Sequence, residues 1–161
     1  MWNYIETDAC NSISLHDCRT EDIRVDGNDL IVNFPDGFWI TPASAHIDHH
    51  RPLKTGPSQL CIHGFGTERV IDTVDLFITT YLFRKPVLCR RIRMEGADFL
   101  NLVNDGAHEL EFLWEFHRPG NGLYQYWLWK KDHGMEAECQ FQVTARHIEY
   151  RWNEILPDRE W

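Results

Sequence analysis

The stretch Glu109-Leu110-Glu111-Phe112-Leu113-Trp114-Glu115-Phe116 decides how this chain is read. Leu110, Phe112, Trp114 and Phe116 recur at every second residue, and Glu109, Glu111 and Glu115 fall on the opposite side. A repeat of two belongs to a pleated strand, whose side chains alternate between faces, whereas a helix repeats at about 3.6. Downstream, Pro119-Gly120-Asn121-Gly122 offers a turn, and Leu123 to Trp129 is apolar on both faces, as a central strand is. Asp132-His133-Gly134 turns the chain again. Cys139, Phe141, Val143 and Ala145 then alternate with Glu138, Gln140, Gln142 and Thr144, and Ile148, Tyr150 and Trp152 continue the pattern. These segments predict an antiparallel meander with one buried and one wet face.

The same period governs the chain upstream. Ile23-Arg24-Val25 runs into Asp26-Gly27-Asn28-Asp29, and Leu30, Val32 and Phe34 follow on one face. That is a hairpin, because Gly and Asn tolerate the positive φ of a tight turn. Pro35-Asp36-Gly37 makes a second turn before Phe38-Trp39-Ile40-Thr41. Residues 58–64 read as a strand ended by Gly64-Phe65-Gly66. Residues 70–83 and 87–94 are rich in the β-branched and aromatic side chains that suit a pleated surface. One helix is expected near 97–104, where Phe99, Leu100 and Val103 have helical spacing and Asn104-Asp105-Gly106 supplies a stop. At about two turns it depends on packing rather than on its own propensity. Residues 42–57 hold Pro42, Pro52, Gly56 and Pro57 and read as an irregular, histidine-rich loop between strands. The fold class is therefore mainly β, an antiparallel sandwich or strongly curved sheet with one short helix, in a single domain spanning 1–161.

At 161 residues the chain is long enough to bury a core without disulfides or metal. No apolar run approaches the ~18 residues of a membrane span. The formal net charge of −9 disfavours nucleic-acid phosphates as a partner and suits a basic protein. The densest basic patch, Arg90, Arg91 and Arg93 with Arg84 and Lys85 upstream, reads as a solvated strand face and turn. Five cysteines occur with no C-x-x-C, and no secretory signal opens the chain. A reduced, cytoplasmic protein with small buried cysteines is the expectation.

Four groups of residues carry candidate chemistry. His46, His49 and His50 cluster in the loop with Asp48, and His16 and Asp17 could complete a shell for zinc or another divalent transition metal. Their spacing matches no fixed motif, so no resident cofactor is the leading expectation and a metal centre the alternative. His16-Asp17-Cys18 brings together a base, a carboxylate and a thiol, but strand neighbours point to opposite faces and seldom form a triad. Glu109, Glu111 and Glu115, with Glu138 beside them, form an acidic strand face fit to dock a basic partner. Tyr124 and Tyr126 share a face with Leu128, opposite Trp127 and Trp129, and either face could pair two copies or stack a sugar. Phosphate loops, nucleophile elbows and dinucleotide fingerprints are absent, so catalysis is not favoured.

Leu15-His16-Asp17-Cys18, Ile23 to Val25, Asn28-Asp29-Leu30 and Phe34-Pro35-Asp36-Gly37-Phe38 together carry a resemblance. Over residues 15–40 the chain resembles the start of several small bacterial proteins, some of them similar to immunity proteins of polymorphic toxin systems. The resemblance implies a small, soluble, acidic domain that neutralises another protein by binding it and catalyses nothing. It supplies no site residues.

Overall fold

Alternation of apolar and polar side chains over most of the chain folds it into strands, and the computed structural model shows fifteen of them and one helix among the described residues. The described residues are 1–20, 22–64, 71–118, 121–130 and 134–160, with the backbone alone for 72, 116–118, 121–125, 135, 136 and 160. In chain order the elements are β1 (Tyr4–Thr7), β2 (Ile13–Ser14), β3 (Cys18–Thr20), β4 (Asp22–Asp26), β5 (Asp29–Phe34), β6 (Trp39–Ile40), β7 (Leu53–Thr55) and β8 (Ser58–His63). They continue with β9 (Ile71–Leu82), β10 (Lys85–Glu95), α1 (Gly96–Val103), β11 (His108–Arg118), β12 (Asn121–Lys130), β13 (Gly134–Thr144), β14 (His147–Trp152) and β15 (Ile155–Glu160).

Three antiparallel sheets result, and they do not close into a barrel. The first has the order β1-β14-β8-β5-β4, the second β10-β9-β13-β12-β11-β3, and the small third β15-β7-β6-β2. One core joins the first two. Leu30, Val32, Leu60, Ile62 and Ile148 of the first sheet share it with Leu110, Phe112, Tyr126, Phe141 and Val74 of the second. Phe34 meets Phe112 edge-on at 5.4 Å, the geometry that brings a ring's positive edge to its neighbour's negative face. Each buried aromatic or aliphatic side chain contributes roughly 1.5–3 kcal/mol of transfer free energy.

The helix forms where expected and is held by packing. Phe99 and Val103 are fully buried, and Phe99 lies on Tyr126 and Phe141. Gly96 begins the helix hard against β9, where a Cβ would come within 2.5 Å of the Ile71 carbonyl oxygen. At the other end the Asn104 side chain accepts the Ile23 N–H at 3.0 Å and donates to the Ile23 carbonyl at 2.6 Å. β4 is an edge strand of the first sheet, so one amide closes part of an edge that would otherwise present bare backbone.

Two expectations need correction. The loop read over 42–57 ends earlier, because Leu53–Thr55 is strand β7, paired with β6 and β15 and buried at all three residues. Three residues between a proline and a glycine are too few to show an alternation. The second correction concerns β11. Phe112 pairs with Tyr126 and Trp114 with Gln125, so Leu113 is an extra residue in the ladder. A bulge of this kind reverses which face later residues occupy. Leu110 and Phe112 face the core, but Trp114 is 59% exposed and Glu115 turns inward, where it accepts the Tyr150 hydroxyl at 3.1 Å. The lead-in to β3 fixes the bulge: His16 Nδ1 donates to the Leu113 carbonyl at 2.7 Å, and the Asp17 N–H donates to the Phe112 carbonyl at 2.8 Å.

Of the expected turns and ends, residues 119–120 and 131–133, Phe65, Gly66, Val70 and Trp161 lie outside the described residues. So do the side chains of Phe116, Leu123 and Tyr124. No helix among the described residues is long and apolar enough to cross a membrane.

Candidate functional site

The outer face of the first sheet carries a polar cluster drawn from three strands. Register puts Asp29, His63 and His147 in one row and Cys61 opposite Glu149 in the next. Gln59 and Arg151 pair one row further on. Because side chains alternate along a strand, His63 shares its face with Cys61 and Gln59, and His147 shares its face with Glu149 and Arg151. The two imidazoles stack with ring centres 4.3 Å apart. His63 Nδ1 lies 2.9 Å from an Asp29 carboxylate oxygen, and its Nε2 lies 3.4 Å from Glu149 Oε2. The Nε2 of His147 lies 3.5 Å from the other oxygen of the same carboxylate. Arg151 Nη2 donates to Glu149 Oε2 at 2.5 Å, and Nη1 donates to Gln59 at 3.1 Å. Burial alone would raise the Glu149 carboxyl, but the bonds and charge of Arg151, helped by His63, outweigh it and hold the group below its ordinary range. Cys61, buried under this face, is pushed up to about 11 by burial. It is a thiol at neutral pH.

The histidines singled out in the loop do not converge. His46 Nε2 contacts Glu6 at 3.2 Å, with its ring edge-on to Tyr4 and Trp152. Glu6 also accepts from Ser12 and Ser44, so His46 belongs to a tether that ties the loop to β1. His49 turns back on its own loop and accepts the Arg51 N–H through Nδ1. His50 is exposed. His16 and Asp17 serve the β11 bulge. Among the described residues, the groups whose ligand atoms come within metal-binding reach are Asp29–Cys61–His63 and His63–His147–Glu149. Nor does His16-Asp17-Cys18 form a triad. The Cys18 thiol faces the Ser14 and His16 carbonyls and the Lys54 ammonium at 3.6 Å, and burial, only partly offset by Lys54, pushes it up to about 12.

The acidic face is less bare than its sequence. Arg19 donates to Glu109 at 2.8 Å, reaches Glu111 at 2.5 Å and lies over the Trp129 ring. Glu111 is buried, and Glu115 faces inward through the bulge, so the three do not make one exposed acidic surface. Glu138 stays exposed on β13. Tyr126 and Leu128 are core residues, which removes their face as an interface between copies.

An element that the sequence reading treated as a solvated face stands out instead. Among the described residues, β13 pairs with β9 from Ile71 to Phe77, and β9 and β10 continue beyond it as a two-stranded arm. Tyr81, Leu82, Val87 and Leu88 on this arm are each more than half exposed, and Phe83 at its tip is 91% exposed. Residues 76–94 hold five of the 16 basic side chains and none of the 25 acidic ones. Asp75, at the base, binds Arg91 and Arg93.

The chain matches no family model, no curated protein and no solved structure. The functional reading therefore rests on the geometry. Sequence reasoning missed His63, His147 and Glu149. Their only signal was spacing: Cys61-x-His63 and His147-x-Glu149 each place two metal-ligating side chains on one face of a strand.

Proposed function

We propose that this chain is a non-catalytic protein-binding domain whose contact element is the β9–β10 arm, and that the partner is a second copy of the chain. The observation that carries this reading is the arm itself, a projecting hairpin with five large apolar side chains exposed along it. Apolar surface gathered in one place, with arginine beside it, is the composition of a protein interface. Charge selects the partner. The arm is purely basic, whereas the remainder of the chain carries 25 acidic against 11 basic side chains. Each copy thus offers both halves of a complementary pair, and two such contacts related by a two-fold axis close into a dimer. A basic foreign partner on the acidic strand face has less support, because Arg19 already engages Glu109 and Glu111. The non-catalytic part of the reading is supported by the inward, protonated thiol of Cys18 and by the engagement of His16 with backbone.

Sedimentation of the full chain over a concentration series tests this. The expected result is a dimer that loosens as salt is raised, since exposed charges are screened. Phe83→Asp with Leu88→Asp is expected to weaken the dimer at least tenfold while leaving the circular dichroism unchanged. A wild-type chain that sediments as a monomer throughout, or a dimer indifferent to the double substitution, would overturn the proposal.

A further inference from the structure

We infer that the outer face of the first sheet holds a second function, a site for a divalent transition ion of the zinc class, bound by His63 Nε2, His147 Nε2 and the Glu149 carboxylate. Two strand partners supply it. β8 gives His63 and β14 gives His147 and Glu149, so the register of one ladder brings the three donors together. Their ligand atoms lie within 4.8 Å of one another. Two imidazoles and one carboxylate are the three-donor set that zinc accepts while keeping a fourth position open.

A second observation, independent of the donor count, points the same way. Asp29 lies 2.9 Å from His63 Nδ1. A carboxylate accepts, so Nδ1 is the ring nitrogen engaged by Asp29 and Nε2 is the one turned toward the site. That Nε2 lies 3.4 Å from Glu149 Oε2. A carboxylate that fixes the tautomer and aim of a histidine is the usual outer partner of a metal-binding imidazole. The alternative grouping, Asp29–Cys61–His63, would use the Nδ1 already committed to Asp29 and a side chain buried beneath the face.

The Arg151 guanidinium reaches Glu149 and lies 3.5 Å from His63 Nε2. A metal ion and this guanidinium compete for the Glu149 carboxylate. Arg151 has a second anchor in Gln59, which can hold it when the ion enters. The competition makes a distinctive prediction: removing a stabilising contact should improve ligand binding.

The test is zinc titration of the chelator-treated full chain by calorimetry, with native mass spectrometry for stoichiometry. One ion per chain is expected. Asp29→Asn should weaken binding by about tenfold or more, the effect of losing an outer partner. Arg151→Met should tighten it severalfold, a gain that a merely structural role for Arg151 would not produce. His63→Ala and His147→Ala should abolish it, whereas replacing His46, His49 and His50 together by Ala should change nothing. If neither the wild type nor Arg151→Met takes up one ion, or if binding survives His63→Ala and His147→Ala, the inference falls. Because the Asn and Met variants keep side-chain volume on an outer sheet face, they remain informative should a histidine variant fail to fold.

Discussion

Tyr126 shows how one atom can work against the residue that carries it. Its ring is wholly buried between Phe99, Phe112 and Phe141, with centres 5.0–5.8 Å away. Its hydroxyl has no hydrogen-bond partner among the described residues, and burial holds it protonated well above its ordinary range. A buried hydroxyl stripped of water without a partner costs about 1–3 kcal/mol, while the ring it rides on is stabilising. Tyr126→Phe keeps the ring and removes the penalty. Urea unfolding should show a gain of about 1 kcal/mol for this variant. A loss of stability would reveal that the hydroxyl is satisfied after all. At this scale the sequence was informative about burial and uninformative about partners. Alternation placed Tyr126 on the same face as Leu128, but nothing in a linear pattern tells whether a phenol that goes inward finds an acceptor. Glu115 shows the reverse case, since its inward turn depends on one unpaired residue, Leu113, that hydropathy cannot distinguish from a paired one.

Two described hairpin turns show an element built for stability and one that is not. The β4–β5 turn uses Gly27 at φ +62°, with Asp26 paired to Asp29 across a two-residue loop. Glycine takes that conformation at no steric cost. The tip of the β9–β10 arm has the same loop length, with Leu82 paired to Lys85, yet Phe83 and Arg84 occupy it at φ +49° and +64°. A side chain held in the left-handed region costs roughly 1–2 kcal/mol per residue, and Asn-Gly is the pair such a turn prefers. An aromatic and an arginine at that tip are therefore retained against the local preference of the backbone, as happens where a surface is used for contact. Phe83→Asn with Arg84→Gly should raise the unfolding free energy by about 1–2 kcal/mol and at the same time weaken self-association. Stability and binding moving in opposite directions would be hard to reconcile with a tip that only connects two strands. The strands of the arm were legible from Val, Ile, Thr and aromatic enrichment. Its projection was not, because where β13 stops pairing with β9 is a matter of register between segments some sixty residues apart.

At the scale of the whole molecule, ionised carboxylates anchor three separate places, the base of the arm, the turn after α1 and the outer face of the first sheet. Asp75 is kept below its ordinary range chiefly by its hydrogen bond to Arg91 on the arm, and Asp105 chiefly by the Ala107 N–H after α1. At Glu149 on the first sheet, the lowering by Arg151 and His63 outweighs the opposing effect of burial. The mainly β class, the helix and most strands could be read from period and turn chemistry. The strand order could not, since it joins residues such as Thr7 to Glu149 and His63 to His147 through pairings that leave no local mark. The acid behaviour follows from this geometry. A carboxyl depressed in the folded state binds its proton more readily in the unfolded one, so folding stability is fully present above the unfolded values and falls as pH drops through the folded ones. The contribution of these three carboxyls should therefore be complete above the ordinary glutamate and aspartate values of 4.5 and 3.8 and decline below them. Arg151→Met removes the partner that most lowers Glu149, so its decline should be shallower than that of the wild type even though its stability near neutrality is lower. Urea midpoints measured across this range decide the matter. Parallel curves for the two proteins would show that Arg151 does not hold Glu149 ionised, and would take the competing cation out of the histidine site as well.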